Sequence, residues 1–204
     1  MNVQYGCALD APQEWLNFDA SPTLRLQKIP ILGKFIIRRM KWVMFPDNVR
    51  YGDIVKGLPV SGNSCDLVYC SHILEHLSYE DLRTALANTF KILKPKGVFR
   101  LIVPDLESSI RQYVQDASDD ASIKFLKETQ LGQIKKRTFF GQLRYIWGSH
   151  HCWMWDFKAL RKELAEAGFQ NIRRMRGHDS QHAQFNEIEA EQRWKDSLVV
   201  ECEK

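Results

Sequence analysis

The stretch from residue 65 to residue 105 constrains the fold most. "CDLVYCS" is an apolar run of the kind that forms a strand buried on both faces, and "GVFRLIVPD" is another. A well-signalled helix lies between them. Ser78 and Asp81 form a capping box, Leu82, Leu86, Phe90 and Leu93 recur at helical spacing, and "KPKG" ends the helix. Two strands joined by a helix in about 38 residues form a crossover unit, so the strands are parallel. "NVQYG", "EWLNFD" and "NVRYGD" read as three short strands before this unit. A later helix has Asp156 as its N-cap, Phe157, Leu160 and Leu164 as its inner face, and Gly168 just past its end. "FQNIRRMR" and "SLVVECE" read as the last two strands. The expectation is an α/β fold, an open sheet with helices on both faces.

His72 follows directly from the first buried strand, and His72-Ile73-Leu74-Glu75-His76 fits the H-x-x-E-H pattern of one zinc protease class. That chemistry needs the motif inside a helix, where residues four apart share a face. Here the helix signal starts only at Ser78, so no metal site is expected. His72 is then a loop histidine at the carboxyl edge of the sheet, the edge where open α/β folds bind small ligands. His178, Asp179 and His182 match no standard metal spacing, and Glu189 and Arg193, four apart, suit a helical ion pair.

At 204 residues a single domain over 1–204 is expected. A net charge of +4 is too mild to indicate nucleic acid. The five scattered cysteines include no C-x-x-C pair, so neither a disulfide framework nor a cysteine metal site is indicated. The sequence shows no basic-then-apolar leader and no run of 18 apolar residues. A reducing cytoplasm is the expected compartment.

Four segments, in order, carry a family resemblance: "YGCALDAPQEWLNFDASP", "GDIVKGLPVSGNSCDLVYCSHILEHLSYEDLRTAL", "LKPKGVFRLIVPDLE" and "HCWMWDFKALRKELAEAGF". The chain resembles the class I S-adenosylmethionine-dependent methyltransferases. Within them it is similar to a small group combining GCG…W-x-N-x-D, S-H-x-L-E-H-L and H-x-W-M-x-D motifs. The resemblance implies a Rossmann-like, mostly parallel sheet with an antiparallel C-terminal strand, and S-adenosylmethionine as cofactor. It also implies site residues. Gly6, Cys7 and Ala8 bring backbone close to the methionine part of the cofactor. Asp19 accepts from the ribose hydroxyls. Asp53 accepts from the adenine amine while Ile54 packs on the ring. Cys70, Ser71 and His72 line the floor near the sulfonium. Two departures stand out. Gly6 and Asp19 are thirteen residues apart, whereas a full crossover helix places the acid about 20 residues on, so the first crossover is shortened. Ala8 also replaces the group's second glycine.

Residues 24–46 and 106–150 read as inserted lid or substrate-side segments. The first carries Arg25, Lys28, Lys34, Arg38, Arg39 and Lys41 and no acid, interleaved with apolar residues. It is either a lid or peripheral membrane surface, or a helix whose apolar face packs inward while its basic face is solvated. The second ends near an aromatic cluster, Phe139, Phe140, Tyr145, Trp147, Trp153, Trp155 and Phe157, that suits either a core or a ring-shaped acceptor. By the H-x-W-M-x-D match, His151 with Asp156 is the expected catalytic pair, and His72 is the second candidate base. The expected reaction is methyl transfer to a small-molecule or glycan acceptor at oxygen. The alternative, supported by Ala8, is a degenerate relative that binds cofactor or a partner without turnover.

Overall fold

The computed structural model describes residues 1–204 apart from 31, 41 and 132–149. The calls on Lys41, Phe139, Phe140, Tyr145 and Trp147 lie outside the described residues. A seven-stranded sheet runs in the order β3-β2-β1-β4-β5-β7-β6. Its strands are β1 (Asn2–Tyr5), β2 (Trp15–Asp19), β3 (Val49–Tyr51), β4 (Cys65–Ser71), β5 (Leu93–Pro104), β6 (Gln170–Met175) and β7 (Ser197–Glu203). β1 pairs in parallel with β2 and β4, as does β4 with β5, and β7 is antiparallel to both β5 and β6. The sheet is thus mostly parallel with one antiparallel C-terminal strand.

The capped helix is present. In α3 (Tyr79–Ile92) the Ser78 side chain accepts from Asp81 N, and Leu82, Ala85 and Leu86 are buried. "KPKG" does more than end it. β5 starts at Leu93, and the register slips between Cys65 and Leu67 so that Leu67 faces Val98. The surplus residues bulge through Lys96, at φ 65. After α4 (Leu106–Gln115) and α5 (Ala121–Glu128), the helix α6 (Phe157–Glu166) is capped by Asp156, whose carboxylate accepts from Ala159 N, and Gly168 follows at φ +103. Both helices bury their apolar stripes on one sheet face, in a core that includes Phe99, Leu101, Leu160 and Leu164.

The other face shows what replaces the missing first crossover helix. Residues 6–14 contain no helix. Instead the connection between β6 and β7 folds back, and α7 (Ala183–Ile188) sets Phe185 and Ile188 against Trp15, Leu67, Tyr69 and Val199. Arg100 lies buried on this face. Its guanidinium reaches Glu189 Oε2 at 3.0 Å and Glu201 Oε2 at 3.2 Å. Glu189 is therefore not the helical partner of Arg193. A buried guanidinium needs carboxylates in hydrogen-bonding contact, and that demand outweighs a surface pair worth a few tenths of a kcal/mol.

Residues 22–39 form α1 (Pro22–Gln27) and α2 (Leu32–Arg39). Only Gly33 and Ile37 of α2 are buried, while Leu32 is 61% and Phe35 66% exposed. The apolar face does not simply pack inward. Among the described residues no helix is long and apolar enough to cross a membrane.

Candidate functional site

Register brings the first group of site residues together. Tyr5 pairs with Phe18 on one side and Cys70 on the other, so Gly6, Asp19 and Ser71 leave the sheet level with one another. Gly6 turns at φ +70, and a Cβ there would lie 2.1 Å from the Ile73 side chain. Ala8 also takes a positive φ, 49. That conformation costs an alanine about 1 kcal/mol, and the Asp19 carboxylate offsets it. Asp19 Oδ2 accepts from Ala8 N at 3.0 Å and Oδ1 from Ser21 N at 2.7 Å. One carboxylate thereby holds the loop that stands in for a helix.

Asp53 lies two residues past β3, where its Oδ1 accepts from Val55 N at 3.0 Å, and Ile54 is buried in the core. Cys7 and Cys70 are buried. Burial, followed by the Asp19 charge, pushes the Cys7 thiol up to about 12. Ser71 and Tyr69, neighbours on one face of β4, each bury a hydroxyl that makes no hydrogen bond of normal geometry among the described residues. Sequence reasoning gives Arg193 only an ion pair. Its half-buried side chain lies close enough to Cys7, Tyr69 and Cys70 for its charge to oppose the upward shifts that burial imposes on all three.

The second group surrounds Glu75, which is 0% exposed on the 3₁₀ turn Leu74–His76. Two loops are stapled there. The Glu75 carbonyl accepts from Cys152 N at 2.7 Å and Trp153 N at 3.1 Å, and the His150 carbonyl lies 3.0 Å from His76 Nδ1. His72, at φ 54, places Nδ1 3.1 Å from Glu75 Oε1 and Nε2 2.7 Å from the Arg193 carbonyl oxygen. Both neighbours are acceptors, and a neutral imidazole carries one N–H, so both contacts are satisfied only by the imidazolium. Burial pulls the His72 pKa down, but the Glu75 hydrogen bond and the Arg193 carbonyl outweigh it and leave the value raised.

His151, 8% exposed, stands on the other side of the same carboxylate. Its Nε2 is 3.9 Å from Glu75 Oε1, and its ring meets that of His76 edge-on at 5.0 Å. Burial lowers the His151 pKa, with the Glu75 charge opposing, so the ring stays neutral near pH 7. His72 and His151 line one open cavity of about 390 Å³, with Pro104 at the end of β5 and Gln112, Tyr113 and Gln130 beyond. Asp156 serves as the cap of α6, with its carboxylate on Ala159 N. Trp155 is buried in the core and Trp153 is exposed. Sequence reasoning left Glu75 and His76 out of the site. The H-x-x-E-H string is the available signal, but its usual meaning requires a helical geometry that these residues, on a 3₁₀ turn, do not adopt.

Comparison with known proteins follows the same direction. The profile of a family described as a methyltransferase domain matches residues 12–174. A search of curated proteins finds no match. Among solved structures, a S-adenosylmethionine-dependent methyltransferase from Thermotoga maritima is similar at TM-score 0.51 and 15% identity, covering 100% of this chain and 81% of that one. One from Archaeoglobus fulgidus is similar at TM-score 0.53 and 15% identity, covering 100% and 85%. The structure of PigF with S-adenosylhomocysteine is similar at TM-score 0.51 and 16% identity, covering 100% of this chain and half of that one, 50%.

Proposed function

The chain belongs to the methyltransferase-domain family and is an S-adenosylmethionine-dependent methyltransferase, and from that premise we propose that it methylates a hydroxyl of a small-molecule or glycan acceptor. The observation that carries this is the cavity shared by His72 and His151 at the ends of β4 and β5, next to the edge formed by β2, β1 and β4. Ligands of open α/β sheets lie at that carboxyl edge.

The residues at the edge fit the cofactor. Gly6 and Ala8 turn the backbone at positive φ, and the Tyr69 and Ser71 hydroxyls lie together, buried, on one face of β4. Arg193 supplies a cation for a carboxylate, and the Asp19 oxygens keep lone pairs for ribose hydroxyls beyond those its backbone donors use. Asp53 and Ile54 bound the adenine side. Bound S-adenosylmethionine supplies a methyl carbon made electrophilic by its sulfonium, whose sulfur keeps the electron pair of the broken bond. The protein's part is placement, because an acceptor oxygen held in line at near-contact distance gains most of the rate. His72, with both nitrogens engaged, fixes Glu75, and neutral His151 faces the acceptor hydroxyl and the proton it must lose.

Radiolabelled methyl transfer to a panel of sugars and small polyols tests the reading, alongside a structure with S-adenosylhomocysteine bound. Transfer to an oxygen, with His151→Asn reducing turnover by about 10²–10⁴-fold at unchanged cofactor affinity, is expected. An imidazole more than about 10 Å from the bound sulfur is too far to act even through one water and would remove His151 from the role.

A second reading concerns where the enzyme works. α2 presents Leu32 and Phe35 beside Lys34, Arg38 and Arg39, and exposed Trp42 and Val43 follow. An apolar face rimmed by cations suits the interface of an anionic membrane.

A further inference from the structure

The cluster around Glu75 has features that an acceptor-binding role does not use. Glu75, His76 and His151 each bring one oxygen or nitrogen into a group whose members all lie within 4.8 Å of one another. Glu75 Oε2 is buried without a hydrogen-bond partner among the described residues, whereas the His151 ring has the Thr129 backbone as a further neighbour. A carboxylate oxygen buried without a partner is costly and calls for a cation or a donor. The 3.9 Å between His151 Nε2 and Glu75 Oε1 is too long for a hydrogen bond. It is, however, within the roughly 4.2 Å that separates two ligands placed about 2.1 Å either side of one ion.

From this geometry we infer that Glu75, His76 and His151 form a binding site for one divalent transition-metal ion, such as Mn²⁺, Fe²⁺, Co²⁺ or Zn²⁺. Two imidazoles and one carboxylate are a ligand set for such ions, and three protein ligands leave positions open. The surroundings supply what ligating groups need. His76 Nδ1 donates to the His150 carbonyl at 3.0 Å, a bond that fixes the tautomer and frees the lone pair on Nε2. His72 holds Glu75 Oε1 at 3.1 Å and orients the carboxylate. The two backbone bonds to the Glu75 carbonyl tie the loop bearing Glu75 and His76 to the loop bearing His151. The widest separation in the group, at most 4.8 Å, has to close by about 0.6 Å to reach the limit set by metal–ligand distances. A side-chain rotation of that size is small.

The role of the ion rests on the methyl-transfer reading, whereas the site itself does not. His151 lines the acceptor cavity, so the open positions face the acceptor. A pair of adjacent hydroxyls, as on a sugar ring, fits two open positions. Coordination lowers a hydroxyl's pKa towards neutrality. Its proton then passes to solvent in the cavity, and the oxygen lone pair forms the O–CH₃ bond while the carbon–sulfur bond breaks with its electron pair going to sulfur. In this arrangement His151 acts as a ligand and takes no proton itself.

The test is titration of untagged, EDTA-treated protein with CoCl₂, read by visible absorption. The expected result is a d–d band that saturates at one equivalent and weakens in affinity by more than about 100-fold in Glu75→Gln, His76→Asn and His151→Asn, a ligand's loss exceeding the 10–100-fold typical of outer-shell partners. His182→Asn, on the far side of the sheet, should leave it unchanged. A thermal shift with S-adenosylhomocysteine, which needs no metal, reports whether each variant folds and whether the cofactor reading itself holds. His76 is half-buried, so its variant remains available if Glu75→Gln does not fold. No band at tenfold excess cobalt, or a band of undiminished affinity in all folded variants, overturns the site. His151 would then act on the proton directly.

Discussion

Asp19→Asn separates the structural use of this carboxylate from its use in binding. In the folded protein each oxygen accepts one backbone hydrogen bond, from Ala8 at 3.0 Å and Ser21 at 2.7 Å, and the residue is buried. Hydrogen bonds to a charged group contribute about 1.5–3 kcal/mol each. An asparagine keeps one acceptor but turns its amide N–H₂ towards the other backbone N–H. One charged bond is lost, the second becomes neutral, and Ala8 at φ 49 is left with less to hold it. The expected destabilisation is about 3 kcal/mol. At about 2–4 °C per kcal/mol for a domain of this size, the ligand-free melting temperature should fall by roughly 6–12 °C. S-adenosylhomocysteine at 100-fold excess over its Kd should raise the parent's stability by about 2.7 kcal/mol. Most of that rise should vanish in the variant. Scanning calorimetry with and without ligand reads both quantities. An unchanged ligand-free melting temperature together with a lost ligand response would refute the loop-anchoring argument and leave Asp19 a purely ligand-binding residue.

Arg100→Met strands Glu189 and Glu201 in the core and should cost about 3–5 kcal/mol in urea unfolding, with part recovered in Arg100→Met/Glu189→Leu. Gly6→Ala forces a methyl to 2.1 Å from Ile73 at φ +70, so it should destabilise by about 1–3 kcal/mol, and the double variant Gly6→Ala/Ile73→Ala should regain the steric part. Iodoacetamide at pH 8 should label Cys152 alone in the native protein, because the other four thiols are buried and Cys7 is pushed up to about 12; rapid labelling of Cys7 in intact-mass spectra would contradict this. Sedimentation with anionic vesicles should fall in Arg38→Gln/Arg39→Gln and with added salt, and equal binding to neutral vesicles would count against the membrane face.

Local patterns by themselves determined most of the architecture. The apolar runs of β4 and β5 read as buried strands because helices cover both faces of the sheet there. Ser78 and Asp156 read as caps because capping uses neighbours two or three residues away. Even the shortened first crossover was legible, from the thirteen residues between Gly6 and Asp19. What depended on distant partners was not legible. Glu189 pairs with Arg100, 89 residues away, instead of Arg193, four away, because burial decides which charge most needs a counter-ion. α7, from the β6–β7 connection, covers the face left bare by the missing helix, which no local pattern announces. The Glu75 group shows the limit most clearly. His72, Glu75 and His76 suggested a metal motif that fails as a helix, since the turn is 3₁₀ and His72 spends both nitrogens elsewhere. Only the folding of residues 150–153 onto that turn brings His151 to Glu75, and the converging lone pairs exist in the tertiary structure alone.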